Sequence, residues 1–74
     1  MGELAIFNYG GSETITWDPG TDSEVRTART RFDEMVEKGF SAIEVNPDEG
    51  AGNSIDHFDP AATRILMFPF LAGG

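Results

Sequence analysis

The stretch that decides the fold is TDSEVRTARTRFDEMVEKG, Thr21 to Gly39. It opens with the Thr-x-x-Glu spacing of a capping box, and it closes on a glycine where a helix commonly ends. Between these limits, apolar residues recur at the spacing of one helix face: Val25, Ala28, Phe32, Met35 and Val36. The opposite face is charged. The pattern predicts a helix that begins at Thr21–Asp22 and ends by Gly39, with one apolar stripe to be covered.

Two strands are predicted before this helix. ELAIFNY, Glu3 to Tyr9, is apolar on both faces, which is typical of a central strand. SETITW, Ser12 to Trp17, alternates apolar and hydroxyl residues, and the two glycines between these runs predict a turn. We therefore expect an antiparallel hairpin that ends at Asp18–Gly20, where a proline cannot continue the ladder.

The second half of the chain predicts two further strands separated by an irregular segment. SAIEV, Ser41 to Val45, is a short strand, and the last strand runs from Arg64 to about Phe70. Residues 46–63 are rich in Pro, Gly, Asp and Asn, which indicates a loop. Within that loop we expect Ile55 and Phe58 to anchor the chain to the core, and Asp59 to begin a single helical turn.

This order predicts a single α+β domain over residues 1–74, with a flexible tail at 71–74. One amphipathic helix needs one sheet to cover, and the two most apolar strands, the first and the last, are expected side by side at its centre. After a hairpin, a helix and a crossover, the last strand then runs parallel to the first. The prediction is a β-grasp fold with a four-stranded mixed sheet packed on one helix.

Composition limits the classes of function. The chain has 74 residues, 13 acidic against five basic side chains, a formal charge of −8 and no cysteine. Such an acidic chain repels phosphate, so nucleic acid is not expected as a partner. No signal peptide and no apolar run of the ~20 residues that span a bilayer is present, which predicts a cytoplasmic protein without a membrane partner.

Residue types that often mark catalytic or metal sites have simpler explanations in this sequence. His57 is the only histidine, and a lone histidine without cysteine does not make a metal site. The acidic residues of the loop lack the spacing of a calcium site, and the glycines at 50 and 52 lack the lysine of a phosphate loop. We therefore expect no cofactor, no metal and no catalytic group of the chain's own.

The ending FPFLAGG, Phe68 to Gly74, resembles that of the small sulfur-carrier subunit of molybdopterin synthase. The length, the element order and the diglycine are also similar to ubiquitin, to the thiamine sulfur carrier and to small archaeal modifiers. The resemblance implies that an activating enzyme adenylates the carboxylate of Gly74 with ATP. A thiocarboxylate or an isopeptide bond to an acceptor protein then follows. Gly73 and Gly74 have no Cβ, which permits close backbone approach in a narrow channel of the activating enzyme. Ala72 has a small side chain, so the segment before the diglycine is also narrow.

A docking surface is predicted beside this tail. If Ile65 and Met67 face the helix, Leu66, Phe68 and Phe70 lie on the uncovered face of the sheet, together with Phe7. Leu71 and Ala72 extend the same partner-binding segment towards the diglycine. A shift of one residue in the strand would reverse these faces.

Two other functions remain open from the sequence alone. The chain is alternatively a binding module that is never conjugated and acts only through its sheet face. A third possibility is a small acidic regulator of the kind found in toxin–antitoxin or phage systems.

Overall fold

The computed structural model describes residues 1–8, 10–46, 48 and 52–69. Its elements in chain order are β1 (Gly2–Asn8), β2 (Gly11–Trp17), α1 (Asp22–Glu37), β3 (Phe40–Val45), β4 (Asn53–Ile55) and β5 (Arg64–Pro69). The fold is a small α+β domain in which one helix packs on a five-stranded mixed sheet.

The sheet has the strand order β2-β1-β5-β3-β4. β1 and β5 lie side by side and run parallel, with Leu4 opposite Ile65 and Ile6 opposite Met67. The other three pairings are antiparallel. The predicted parallel pair of first and last strands at the sheet centre is therefore confirmed.

The sheet has one strand more than the four expected from the sequence. β4 is a three-residue strand inside the segment predicted as loop, and it pairs antiparallel with β3. Its residues Asn53 and Ser54 have no strand preference of their own, so pairing with β3 rather than local propensity makes this strand.

The helix has the predicted bounds, and its C-terminus has the predicted cap. Gly39 adopts a φ of +95°, a conformation that L side chains rarely adopt. The Gly39 amide donates to the Val36 carbonyl at 2.9 Å, and the Lys38 amide donates to Met35 at 3.1 Å. These bonds pair carbonyls that the last turn would otherwise leave open.

The capping box predicted at the N-terminus of the helix is wrong. Thr21 is the N-cap residue, but its hydroxyl makes no capping hydrogen bond. The Glu24 carboxylate instead accepts a hydrogen bond from the Asp18 amide at 2.8 Å, while the Asp18 carboxylate accepts from Gly20 at 2.9 Å. The tight turn before the helix thus takes the carboxylate that a capping box would direct to Thr21.

The core lies between the helix and one face of the sheet. Ala28, Phe32 and Met35 of α1 are buried against that face, and Val25 and Val36 border them. The sheet contributes fully buried side chains from three strands: Leu4, Ile6, Trp17, Ile65 and Met67.

The segment between β4 and β5 closes one end of this core. Phe58 packs its ring on Trp17 with centroids 4.9 Å apart, and Ile55 borders the core, so both predicted anchors are confirmed. The Trp17 indole donates to the Pro60 carbonyl at 3.0 Å. The helical turn predicted after Asp59 is instead a hydrogen-bonded turn, in which the Asp59 carboxylate accepts from the Ala61 amide at 2.9 Å.

The N-terminal geometry of the helix gives a first testable prediction. Thr21→Ala should change the free energy of unfolding by no more than a few tenths of a kcal/mol, because the hydroxyl caps nothing. Glu24→Gln should cost more, about 0.5–1 kcal/mol, because it weakens a charge-assisted bond to Asp18. Urea unfolding of both variants shows which of them loses more free energy of unfolding. A larger loss for Thr21→Ala would show that its hydroxyl caps the helix in solution.

Candidate functional site

The uncovered face of the sheet carries the largest apolar side chains outside the core. Phe7 and Phe68 follow the paired residues Ile6 and Met67 on the two central strands, so both point away from the helix. Their rings stack with centroids 5.6 Å apart and planes 15° from parallel. Phe7 is 40% exposed, and Phe68 is half-buried.

Neighbouring strands extend this apolar surface. Ala5 and Ile43 flank Leu66 in register on β1 and β3, and all three are half-buried. We call Ala5, Phe7, Ile43, Leu66 and Phe68 the open-face patch. The patch lies on the three middle strands, with no described helix over it. Apolar residues clustered on the rigid middle of a sheet are suited to contact with another protein.

The margins of the patch are polar. On the β2 side, Ser12, Thr14 and Thr16 present hydroxyls on the same face. At the N-terminal end of the two central strands, Arg64 donates to the Glu3 carboxylate at 2.8 Å. A shallow depression of about 340 Å³ lies at this end, lined by Glu3, Val45, Thr63 and Arg64. An apolar centre with a polar margin is the usual anatomy of a protein interface.

The structure brings together three of the predicted partner-binding residues. Phe7, Leu66 and Phe68 share the uncovered face, so the strand parity deduced from the sequence is confirmed. The other predicted site residues lie outside the described residues: Phe70, Leu71, Ala72, Gly73 and Gly74. Their roles, and partner binding by the first three, stay predictions.

A second feature, not expected from the sequence, joins β2 to the helix. Arg31 donates two hydrogen bonds to the Glu13 carboxylate, at 2.8 and 3.2 Å, and lies 3.7 Å from Glu34. The bonds to Glu13 raise the pKa of Arg31 above its ordinary value. In the sequence, Glu13 and Ile15 alternate onto the helix side of β2, and this pattern indicates that Glu13 faces the helix. The sequence does not show which helical arginine would meet Glu13.

The described residues contain no metal-binding group, and their one histidine is exposed. Over residues 1–8, 10–46, 48 and 52–69, no three His, Asp or Glu side chains form a group that could hold a metal ion. The His57 side chain is 82% exposed, as expected for a loop histidine, and lies 2.9 Å from Asp56. That hydrogen bond lowers the pKa of the Asp56 carboxyl below its ordinary value. α1, the one helix in the described part of the chain, is too short and too polar to cross a membrane.

Comparison of the chain with protein-family models, with curated proteins and with solved structures gave no significant match. Function is therefore inferred from the geometry of the open-face patch and from the residues that follow it in the sequence.

Proposed function

We propose that this chain is a β-grasp carrier or modifier protein, whose Gly74 carboxylate is activated by ATP-dependent adenylation. Attack on the acyl-adenylate by sulfide-level sulfur, or by the amine of an acceptor protein, then releases AMP and gives a thiocarboxylate or an isopeptide bond. In this proposal the chain is the substrate of an activating enzyme, with no catalytic group and no cofactor of its own. The proposal requires a form of the chain that ends at Gly74, whether by synthesis or by processing.

The observation that carries this proposal is the position of the stacked Phe7–Phe68 pair on the uncovered face of the two central strands. Phe68 precedes Pro69, the last residue of β5, and only five residues separate Pro69 from the end of the diglycine. A partner that docks on the patch would therefore meet the tail close to its attachment point. Proximity of this kind is what an activating enzyme requires in order to hold a carboxylate beside a nucleotide.

The topology supports the same assignment. A hairpin, one helix, a crossover and a last strand parallel to the first are the features expected of a β-grasp fold. The three-residue strand β4 extends the far edge without changing this arrangement. A fold hosts many functions, so the topology supports the proposal only together with the patch and the diglycine.

The acidic surface fits a protein partner with a basic margin around an apolar centre. The chain carries −8 overall, and Arg64, the one basic side chain on the uncovered face of the described strands, is already bonded to Glu3. Opposite charge around the patch would speed encounter with such a partner.

Mass spectrometry of the protein isolated from its own cells tests the proposal. A Gly74 carboxylate in which sulfur replaces one oxygen would establish the sulfur carrier. The Gly73–Gly74 remnant on lysines of other proteins after proteolysis would establish the modifier. A chain recovered only with an unmodified carboxylate, and never attached to another protein, would contradict both forms.

One observation favours a second function, a binding module that is not conjugated. All five residues of the open-face patch lie within residues 5–68, so partner binding through them would need no tail chemistry. In that case the interaction would survive removal of the diglycine.

Both functions predict that Phe68→Ala weakens docking. Loss of this ring from the patch should reduce affinity for the partner roughly tenfold or more, the effect of losing an aromatic hot spot. Phe40→Ala is the matched control, because Phe40 is also half-buried but packs on the helix side of the sheet. Calorimetric titration of both variants with the partner measures the difference. Equal affinities for the two variants would exclude the patch as the docking site.

A further inference from the structure

The two edges of the sheet differ in how well they are protected. β4, at one edge, has three residues, whereas β2, at the other, has seven and pairs only with β1 among the described strands. An edge strand presents unpaired backbone N–H and C=O groups, and proteins usually shield them with short strands, lysine, proline or a charge. β4 is protected by its length alone.

β2 is longer and has only one of these protections, a single charge. Its sequence GSETITW contains no lysine, arginine or proline, and Glu13 is its single charged residue. The Glu13 carboxylate is held on the helix side of the sheet by two hydrogen bonds from Arg31. The remaining side chains are mostly β-branched or hydroxyl-bearing, and they favour strand pairing. The outer edge of β2 is therefore ready to accept another strand.

Beside this edge lies a groove between β2 and α1. It has a volume of about 420 Å³, with Ile15 half-buried within it. Its charges balance locally, since Arg26 and Arg31 accompany Glu13 and Glu34. Arg26 makes no ion pair with another described residue. The groove therefore offers one unpaired cation to a strand that pairs with β2.

We propose that a second copy of this chain occupies the edge, with the two β2 strands antiparallel about a twofold axis at Thr14. The result is a continuous ten-stranded sheet built from two five-stranded halves. In this register Thr14 faces the partner's Thr14, and Ser12 faces the partner's Thr16. Cross-strand hydroxyl pairs of this kind stabilise antiparallel strands.

The helix side of the same register explains why a second copy fits. The partner's Glu13 lies opposite Ile15 and enters the groove that Arg26 lines. The twofold axis repeats this contact, as an isologous interface requires. The strand is thus complementary to itself on both faces: hydroxyl to hydroxyl on one, and carboxylate to arginine on the other.

Salt should strengthen this dimer. Each copy carries −8, so the two copies repel at long range, while the groove itself is locally neutral. Added salt screens the long-range repulsion beyond about 8 Å at 0.15 M ionic strength. The uncovered face continues across the β2 pair, so both open-face patches would lie on one surface, available to a bivalent partner.

The test is sedimentation equilibrium of the whole chain over a series of concentrations at low and moderate salt. The parent should form dimers, with a dissociation constant that falls as salt rises. Thr14→Lys and Thr14→Glu should each weaken the dimer roughly tenfold or more, because the new charge faces its own copy on the axis. An equimolar mixture of the two variants should restore association, since opposite charges then meet. Thr14 is exposed, so neither variant should lower the melting temperature appreciably.

Ser54→Lys is the matched control. It places the same charge on the same face at the opposite edge, and it should leave the dimer intact. A parent that stays monomeric at every concentration and salt overturns the proposal. So does a Thr14→Lys variant that dimerises like the parent, or a mixture of the charge variants that fails to associate. These outcomes do not depend on the chemistry of Gly74, so they leave the proposed function separately testable.

Discussion

Replacing Gly2 by alanine is expected to lower the melting temperature by roughly 10 °C or more, the largest effect on stability that we predict for a single methyl group. Gly2 lies opposite Trp17 in the first pair of the hairpin. A Cβ at this position would overlap the six-membered ring of the Trp17 indole. The two side chains cannot share that space without a shift of the strand or of the indole.

Neither shift is easily made. The indole is fully buried, packs on Phe58 and donates to the Pro60 carbonyl at 3.0 Å. The strand is fixed beside it by the Glu3 amide, which donates to the Thr63 carbonyl at 3.1 Å. Overpacking of a fixed site costs about 1–3 kcal/mol. In a domain of this size, each kcal/mol lowers the melting temperature by about 4–8 °C.

Three further variants, one of them a double variant, test this prediction. Gly10→Ala is the control, because a Cβ at Gly10 would meet no heavy atom within 4 Å, so its melting temperature should match the parent. Trp17→Phe removes part of the ring that Gly2 touches, so the double variant should lose less than the sum of the two single losses. Thermal melts followed by circular dichroism give the melting temperatures of the parent and of all four variants. Strict additivity would mean that Gly2 and Trp17 do not compete for the same space.

The elements that the sequence predicted correctly are those with strong local periodicity. The stripe of Val25, Ala28, Phe32, Met35 and Val36 determined both the helix and the face it buries. Alternation in the two central strands placed Leu4 and Ile6 in the core and Phe7 outside it. A one-residue slip would have exposed the core residues, so the need to bury them fixes which side chains face the helix.

The features that the sequence did not predict depend on partners distant in the chain. β4 is a strand because it pairs with β3, and nothing in the sequence Asn53–Ile55 predicts a strand. Glu24 has the spacing of a capping box, yet the turn at Asp18 competes successfully for its carboxylate. The bond between Glu13 and Arg31 spans 18 positions in the sequence. Local pattern cannot identify such a partner, because several helical arginines were available.

The candidate site also has features that the sequence predicted and features that it did not. The faces of Phe7, Leu66 and Phe68 followed from strand alternation, so the patch could be predicted once the central pair was known. The stacked geometry of the two rings required the register between β1 and β5. The proposed chemistry of the diglycine would depend on a separate activating enzyme, so neither the sequence nor the fold can test it and it must be measured directly.

Deletion of Gly74, in the form of the chain that ends there, is expected to abolish activation while the fold stays intact. The core residues of the described part of the chain extend no further than Met67, and the β5 pairings end at Pro69. Stability should therefore change by no more than a few tenths of a kcal/mol. The carboxylate, in contrast, would be withdrawn by one residue, about 3.5 Å, from the nucleotide phosphate it must attack. A misplacement of even 1 Å can cost on the order of 100-fold in rate.

The measurement is ATP–pyrophosphate exchange by the activating enzyme, together with a thermal melt of each variant. Gly74→Ala is the graded control: it keeps the carboxylate in place but adds a Cβ where close backbone approach is needed, so its loss should be smaller. Phe68→Ala should raise the concentration of chain needed for half-maximal exchange and leave the rate at saturation largely unchanged, because it removes docking and not the reacting group. If the Gly74 deletion exchanges as fast as the parent, the diglycine has no part in the chemistry, and the open-face patch alone would then account for function as a binding module.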